Sequence, residues 1–260
     1  MAYFDEAELY SGFAAEMWAA YDEKGWDHAY YKAVILANGG PALDIGCGTG
    51  RLLRSYLQAG MDVDGVDISA DMLAHCKRLA AEQDLRAPTL YHQPMQALDI
   101  PRRYTTIYIP CGSLACVMKR DEVRETLRRF HRHLEPDGEL VFNLFIEEEQ
   151  TAGKTFPSEW VGWSKADLPD GRKLQVDRRV MKADRIDQAV TEHRRYRIYD
   201  GEALVHEEIR TGGYRWYTHN EALWMLEATG FRVEKVNGDY KDEPFSEKHT
   251  GTMVIHARRV

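Results

Sequence analysis

Across residues 41–145 short apolar runs alternate with segments of helical periodicity, and this alternation limits the fold more than any other feature of the chain. PALDIG, MDVDGVDI, PTLYHQ, TTIYIP and ELVFNLF have strand length and strand composition. Between them the periodicity predicts helices over residues 50–59, 69–83 and 121–134. ELVFNLF carries an unbroken apolar face, which suits a sheet buried on both sides. The expectation is an α/β protein with a parallel, doubly wound sheet.

Upstream, residues 5–37 carry Leu9, Phe13, Met17, Tyr21, Tyr30, Val34 and Leu36 at helical spacing, interrupted at Lys24 and Gly25. This predicts an N-terminal helical cap over residues 1–38. From residue 155 to 218 the pattern changes to polar–apolar alternation with turn signals at PDG and YDGE, which predicts an antiparallel β insertion. Its expected strands are KLQVDRRVMKA, AVTEHRRYRIY and LVHEEIRTGGYRWY. A helix over 220–229 follows, and FRVEKVNGDY and GTMVIHARRV complete the first sheet. The insertion is thus a decoration within a single domain spanning 1–260.

The charge balance, 34 Lys and Arg against 42 Asp and Glu, provides no general attraction to phosphate backbones or anionic membranes, so neither nucleic acid nor membrane is expected as a partner. The four cysteines form no CxxC pair, and His131 and His133 stand two apart on a helix and share no face, so no metal is expected. A reducing cytoplasm suits such cysteines. The acidic N-terminus is unlike a signal peptide, and no apolar run approaches the ~18 residues of a membrane span.

ALDIGCGTGRL, residues 42–52, carries the chemistry. A strand ends in an acid, three glycines follow at alternate positions, and a helix begins. Gly46, Gly48 and Gly50 let the backbone turn sharply and a ligand lie against it, beside the unpaired N–H groups of the helix. Asp67 ends the second strand, seventeen residues after Gly50, where a carboxylate can accept both hydroxyl hydrogens of a ribose. The ligand is expected to be an adenosine compound. A dinucleotide site uses GxGxxG, and here the third glycine comes one residue early; the GxxxxGK[ST] pattern is absent. Asp44 beneath the loop would repel a diphosphate and suit an ammonium or sulfonium group.

At these residues the sequence resembles the class I S-adenosylmethionine (SAM)-dependent methyltransferases, in which an acid precedes GxGxG and a second acid ends strand two. The resemblance covers residues 40–150 and the last forty. It implies a Rossmann-like seven-stranded sheet with the last strand antiparallel, SAM as cofactor and S-adenosylhomocysteine (SAH) as product. By this resemblance Asp44, Gly46, Cys47, Gly48 and Gly50 form the first motif, Asp67 takes the ribose, Ile68 lies against the adenine, and Met72 is nearby. Pro110 and Cys111 approach the methionine part. Where the family often has an acid for the adenine amino group, this chain has Pro94; Gln93 or Gln96 stands in for it, with Met95 supplying a backbone contact.

Methyl transfer from a sulfonium requires mainly an aligned nucleophile and exclusion of water. Tyr10, Trp18, Tyr21 and Trp26 in the cap are candidates to shield the cation, or alternatively serve as hydrophobic staple and core packing. Tyr21, Ser113, Tyr217 and His219 are candidates for the substrate pocket, His219 also as a base or alternatively as part of a turn and N-cap region. Members of the family that methylate adenine or glutamine amides show an acid or asparagine with two prolines and an aromatic at the fourth-strand exit; IPCGSL here turns the expectation to a small molecule methylated on N or O. Related decorated enzymes dimerise through the insertion, so a homodimer is carried with the resemblance. The rival readings are a non-catalytic SAM or SAH binder using the insertion as a partner surface, and a nicotinamide-dependent oxidoreductase, which the glycine spacing disfavours.

Overall fold

The computed structural model describes residues 6–20, 25, 27–146 and 154–260. Helices α1 (Glu6–Leu9), α2 (Phe13–Ala20) and α3 (His28–Asn38) precede the alternating core. The core runs β1 (Ala42–Ile45), α4 (Arg51–Gln58), β2 (Val63–Asp67), α5 (Ala70–Glu82), β3 (Leu90–His92), β4 (Tyr104–Ile109), α6 (Arg120–His133) and β5 (Leu134–Phe145). Strands β6 (Val161–Asp167), β7 (Lys173–Asp184), β8 (Ala189–Asp200) and β9 (Ala203–Arg215) follow, then α7 (His219–Glu227), β10 (Phe231–Gly238) and β11 (Thr252–Arg259).

Seven strands form one sheet in the order β10-β11-β5-β4-β1-β2-β3. Pairing is parallel from β3 through β5, and β11 runs antiparallel to both β5 and β10. Successive side chains of a strand point to opposite faces, and here both faces are buried. Leu43, Ile45, Ile107, Ile109, Leu140, Phe142 and Ile255 join Leu127, Phe130 and Leu226 of α6 and α7 in one core. Ala42, Tyr108, Val141 and Val254, on the opposite face, join Tyr31, Leu53, Tyr56, Leu73 and Cys76 of α3, α4 and α5 in the other. This is the doubly wound, Rossmann-like sheet with an antiparallel last strand that the sequence predicts. Because β1 has β2 on one side and β4 on the other, the chain leaves β1 and β4 in opposite directions, and a crevice opens at their carboxyl ends.

Helix ends follow the sequence closely. Ser69 Oγ accepts the Met72 N–H to cap α5, and Thr218 Oγ1 accepts from Glu221 N to cap α7. In α6, Asp121 and Glu122 lie in the first turn and His131, Arg132 and His133 in the last, with the sense that complements the helix dipole.

The insertion is a separate four-stranded antiparallel sheet, β6-β7-β8-β9. One strand is additional to the three read from sequence: β6 pairs with β7 from Val161↔Arg178 to Asp167↔Lys173. Its side chains are largely exposed, and Gly162 interrupts it, so no apolar face signals it in advance. Helix α2 packs onto this sheet, burying Ala14 and Met17 against Leu174, Val176, Tyr196 and Ile198.

Candidate active site

The carboxyl ends of β1, β2 and β4 and the exit of β3 enclose a cavity with the segment between α1 and α2 as its far wall. Its floor is the loop after β1. The N–H groups of Gly46 and Cys47 both donate to Val66 O, at 2.8 and 3.0 Å, which folds the loop back across β2. A Cβ on Gly46 would lie 2.9 Å from Ser113 Oγ, and its φ is +69°, so only glycine permits this approach of the β1 loop to the β4 exit. Gly50 acts elsewhere. It starts α4 at φ +82°, and a Cβ there would lie 2.4 Å from Cys76 Sγ, so its lack of a side chain seats α4 against α5.

Two carboxylates stand at this floor in different environments. Asp67 Oδ2 accepts from Gly48 N and Oδ1 from Ser69 N, both at 2.8 Å. Burial raises its pKa and these N–H groups oppose the rise, while each oxygen retains a further lone pair for a ligand hydroxyl. Asp44 is 1% exposed, and its Oδ1 has no hydrogen-bond partner. Burial pushes its carboxyl up to about 8, against the pull of the Tyr108 hydroxyl and the Arg51 guanidinium. A buried carboxyl with an unpartnered oxygen is stabilised by an arriving cation.

The β4 exit forms the next wall. Residues 110–116 make a tight turn in which Cys111 and Gly112 are both left-handed, at φ +56° and +68°. The turn is held from below: Gly112 N donates to Oδ1 of the fully buried Asn143 at 2.9 Å, and Asn143 Nδ2 donates to Thr252 Oγ1 at 3.3 Å. A strained non-glycine residue fixed by a buried amide keeps this wall in one shape. Arg51, first residue of α4, grips buried Asp27 with two bonds of 2.8 and 2.7 Å and donates to Cys111 Sγ at 3.5 Å.

The roof is the segment around Tyr10 and Trp18. Ser69 Oγ donates to Tyr10 O (2.9 Å), Gly12 N to Asp71 Oδ2 (2.7 Å) and Thr49 Oγ1 to Trp18 O (3.3 Å), so the loop and the start of α5 hold it directly. From the other side Arg210 Nη1 donates to Glu8 O and Ser11 O, both at 2.8 Å. Arg194 lies over the Tyr10 and Trp163 rings, and Trp18 meets Trp163 edge to face. Burial holds the Tyr10 hydroxyl protonated, so this phenol is no base near neutral pH.

Of the residues singled out from sequence, Asp44, Gly46, Cys47, Gly48, Asp67, Ile68, Met72, Gln93, Met95, Pro110, Cys111 and Ser113 all line the cavity. Gly50 does not, for the packing reason above. Tyr217 and His219 are not among the lining residues either. Tyr217 is buried in the core beneath α7, with Ala222 and Leu226. His219 is exposed at the first position of α7, stacked on Phe245. Tyr21 and Trp26 lie outside the described residues. Asp27 and Asn143 are not marked out by any motif, and Arg51 stands inside ALDIGCGTGRL without a role of its own having been read for it; an asparagine inside the apolar run ELVFNLF is the one signal that could have found Asn143.

Comparison with known proteins agrees with this geometry. The family described as "Methyltransferase domain" matches residues 42–138. A protein of Geobacillus sp. (strain WCH70) named as a methyltransferase is 29% identical over 211 residues, covering 79% of each chain. The dTDP-3-amino-3,6-dideoxy-alpha-D-glucopyranose N,N-dimethyltransferase of Streptomyces fradiae is 30% identical over 140 residues, 51% of this chain and 53% of that protein. Among solved structures, an S-adenosylmethionine-dependent methyltransferase from Clostridium acetobutylicum superposes with a TM-score of 0.75 at 16% identity, covering 89% of this chain and 90% of the other, and so shares the fold.

Proposed function

We propose that this chain, a member of the class I SAM-dependent methyltransferases, moves the methyl group of SAM to a nitrogen or oxygen of a small-molecule acceptor by in-line displacement. The observation that carries the reading is the cavity in which a buried, incompletely partnered Asp44, the glycine loop and the ribose-competent Asp67 face an aromatic roof. When bound, SAM supplies a methyl carbon made electrophilic by the positive sulfur. Asp67 holds the ribose hydroxyls. Asp44, Gly46, Cys47, Gly48, Pro110 and Cys111 surround the methionine part, with the Asp44 carboxylate favouring its positive charge. Ile68, Met72, Met95 and the polar residues of the β3 exit surround the base. Tyr10 and Trp18 exclude water and offer π faces to the cation, while Ser113 stands on the acceptor side.

An amine acceptor fits this wall best. Among the described residues no histidine, glutamate or lysine lines the cavity, its two aspartates, Asp44 and Asp67, are given to the cofactor in this reading, and Tyr10 holds its proton. A hydroxyl acceptor needs a group to take its proton in the transition state, whereas an amine that arrives neutral attacks with its own lone pair and releases the proton afterwards. The amino-sugar methyltransferase among the relatives supports the same direction. The unit is one domain over 1–260, with residues 1–38 as its cap and 155–218 as the insertion, through which two copies pair.

The test is transfer of isotopically labelled methyl from SAM to a panel of primary and secondary amines and matched alcohols. Label in an amine, with SAH formed in equal amount, supports the reading. Label in alcohols alone would move it to oxygen. SAH binding with no transfer to any acceptor would favour a non-catalytic binder.

A further inference from the structure

We infer that Arg210, on the insertion strand β9, is a positioning residue that keeps Tyr10 over the cavity and so sets how long the cofactor product stays bound. The inference rests on the SAM reading above and adds to it a residue that is not itself among those lining the cavity. Glu8 and Ser11 stand on either side of Leu9 and Tyr10, and Arg210 Nη1 donates to the backbone oxygen of each at 2.8 Å. One nitrogen thus brackets the residue whose ring roofs the site. The guanidinium is itself fixed: Nη2 pairs with Glu208 Oε1 at 2.7 Å, and the plane lies 5.3 Å over the Tyr196 ring. A planar fork held in this way is pre-organised to donate, which a flexible ammonium is not.

A second contact seats the same segment on the same strand. Leu9 is 2% exposed, and a Cβ on Gly212 would lie 2.8 Å from Leu9 Cδ2, so the missing side chain of Gly212 makes the notch that Leu9 fills. On the cavity side the start of α5 provides the opposite anchor, through Ser69 Oγ to Tyr10 O and Gly12 N to Asp71 Oδ2. With both anchors in place the Tyr10 hydroxyl comes to 3.6 Å from Cys116 Sγ, and Tyr10 and Cys116 close the cavity between them. A ligand beneath this roof leaves when the segment lifts. Lifting breaks two bonds to a charged donor and exposes Leu9, so the insertion sheet holds the door of a site to which it gives no wall.

The experiment is release of tritium-labelled SAH into excess unlabelled SAH, with Kd measured calorimetrically on the same proteins so that the association rate follows from the two. Arg210→Met is expected to speed release about 10- to 100-fold without slowing association. Arg210→Lys should fall between it and the wild type. Gly212→Ala, which crowds Leu9 out of its notch and removes no donor, should speed release as well, and it decides the matter if Arg210→Met does not fold. Arg197 projects from the other face of the sheet, where it pairs with Asp177, so Arg197→Met should leave release unchanged. Release at the wild-type rate in folded Arg210→Met overturns the assignment, as does equal acceleration by Arg197→Met, which would make any damage to the insertion sufficient. A folded wild type that binds no SAH is a different result, which overturns the cofactor reading and the assignment with it.

Discussion

Asp44 and Asp67 show how two chemically identical side chains, both at the ends of neighbouring parallel strands, are given different work. Asp67 accepts from backbone donors at Gly48 and Ser69, so it stands ready as a further acceptor for hydroxyls. Asp44 lacks such donors at Oδ1 and holds its proton up to about pH 8. The sign of its linkage follows. Its folded pKa lies above its ordinary 3.8, so between these values the native state keeps a proton that the unfolded state has released, and stability falls as pH rises through this window. Asp44→Asn, which does not titrate, should gain on the wild type from about pH 4 upward and be more stable by on the order of 1–3 kcal/mol near pH 8, read from denaturant melts. The same substitution should harm function. The preference for SAM over SAH, which differ by one positive charge, should grow with pH toward 8 and above in the wild type and stay flat in Asp44→Asn. A wild-type preference independent of pH would separate Asp44 from the sulfonium.

Elements in this chain are positioned by close approaches at single residues, and those approaches decide what could be read from sequence. The alternation of β1, β4 and β5 was legible because both faces of each strand enter a core, so apolar residues run almost unbroken. Strand β6 was not, because its partners lie a turn away in sequence and its own residues are mostly solvated. The glycine motif was legible as a turn but not as three separate jobs. Gly46 admits Ser113, Gly48 serves Asp67, and Gly50 admits Cys76. Gly50→Ala should therefore cost about 1–3 kcal/mol in a thermal or denaturant melt and leave SAH affinity nearly unchanged. Adding Cys76→Ala should recover the steric part of that loss and not the part due to φ +82°. Equal loss in the single and double variants would refute the contact. Tyr217 and His219 are not among the residues lining the cavity for a related reason: their place next to the insertion in sequence says nothing about which way the chain turns on leaving β9. It turns into the core at Tyr217 and out to solvent at His219.

At the scale of the whole molecule, the cavity is lined by the crevice of the parallel sheet and the N-terminal segment, and the insertion sheet, far away in sequence, holds that segment from outside. The first was legible because the motif residues that build it are local. The closure was legible only in outline. Aromatic residues at positions 10 and 18 pointed to a cover, but the pins that set it, Arg210 to Glu8 and Ser11 on one side and Ser69, Asp71 and Thr49 on the other, span the whole chain and leave no local pattern. Among the described residues no helix is long and apolar enough to cross a membrane. Every role assigned around the cavity depends on the identity of the molecule that fills it. That identity can be read by calorimetric titration of the protein and its Asp67→Ala variant with SAM, SAH and, as control, NAD. Saturable binding of SAM and SAH to the wild type is predicted, with no binding of NAD, and a loss of about 10- to 100-fold for both ligands in the variant, whose ribose acceptor is gone. Binding of NAD in place of SAM, or a folded wild type that binds neither SAM nor SAH, would contradict a SAM site.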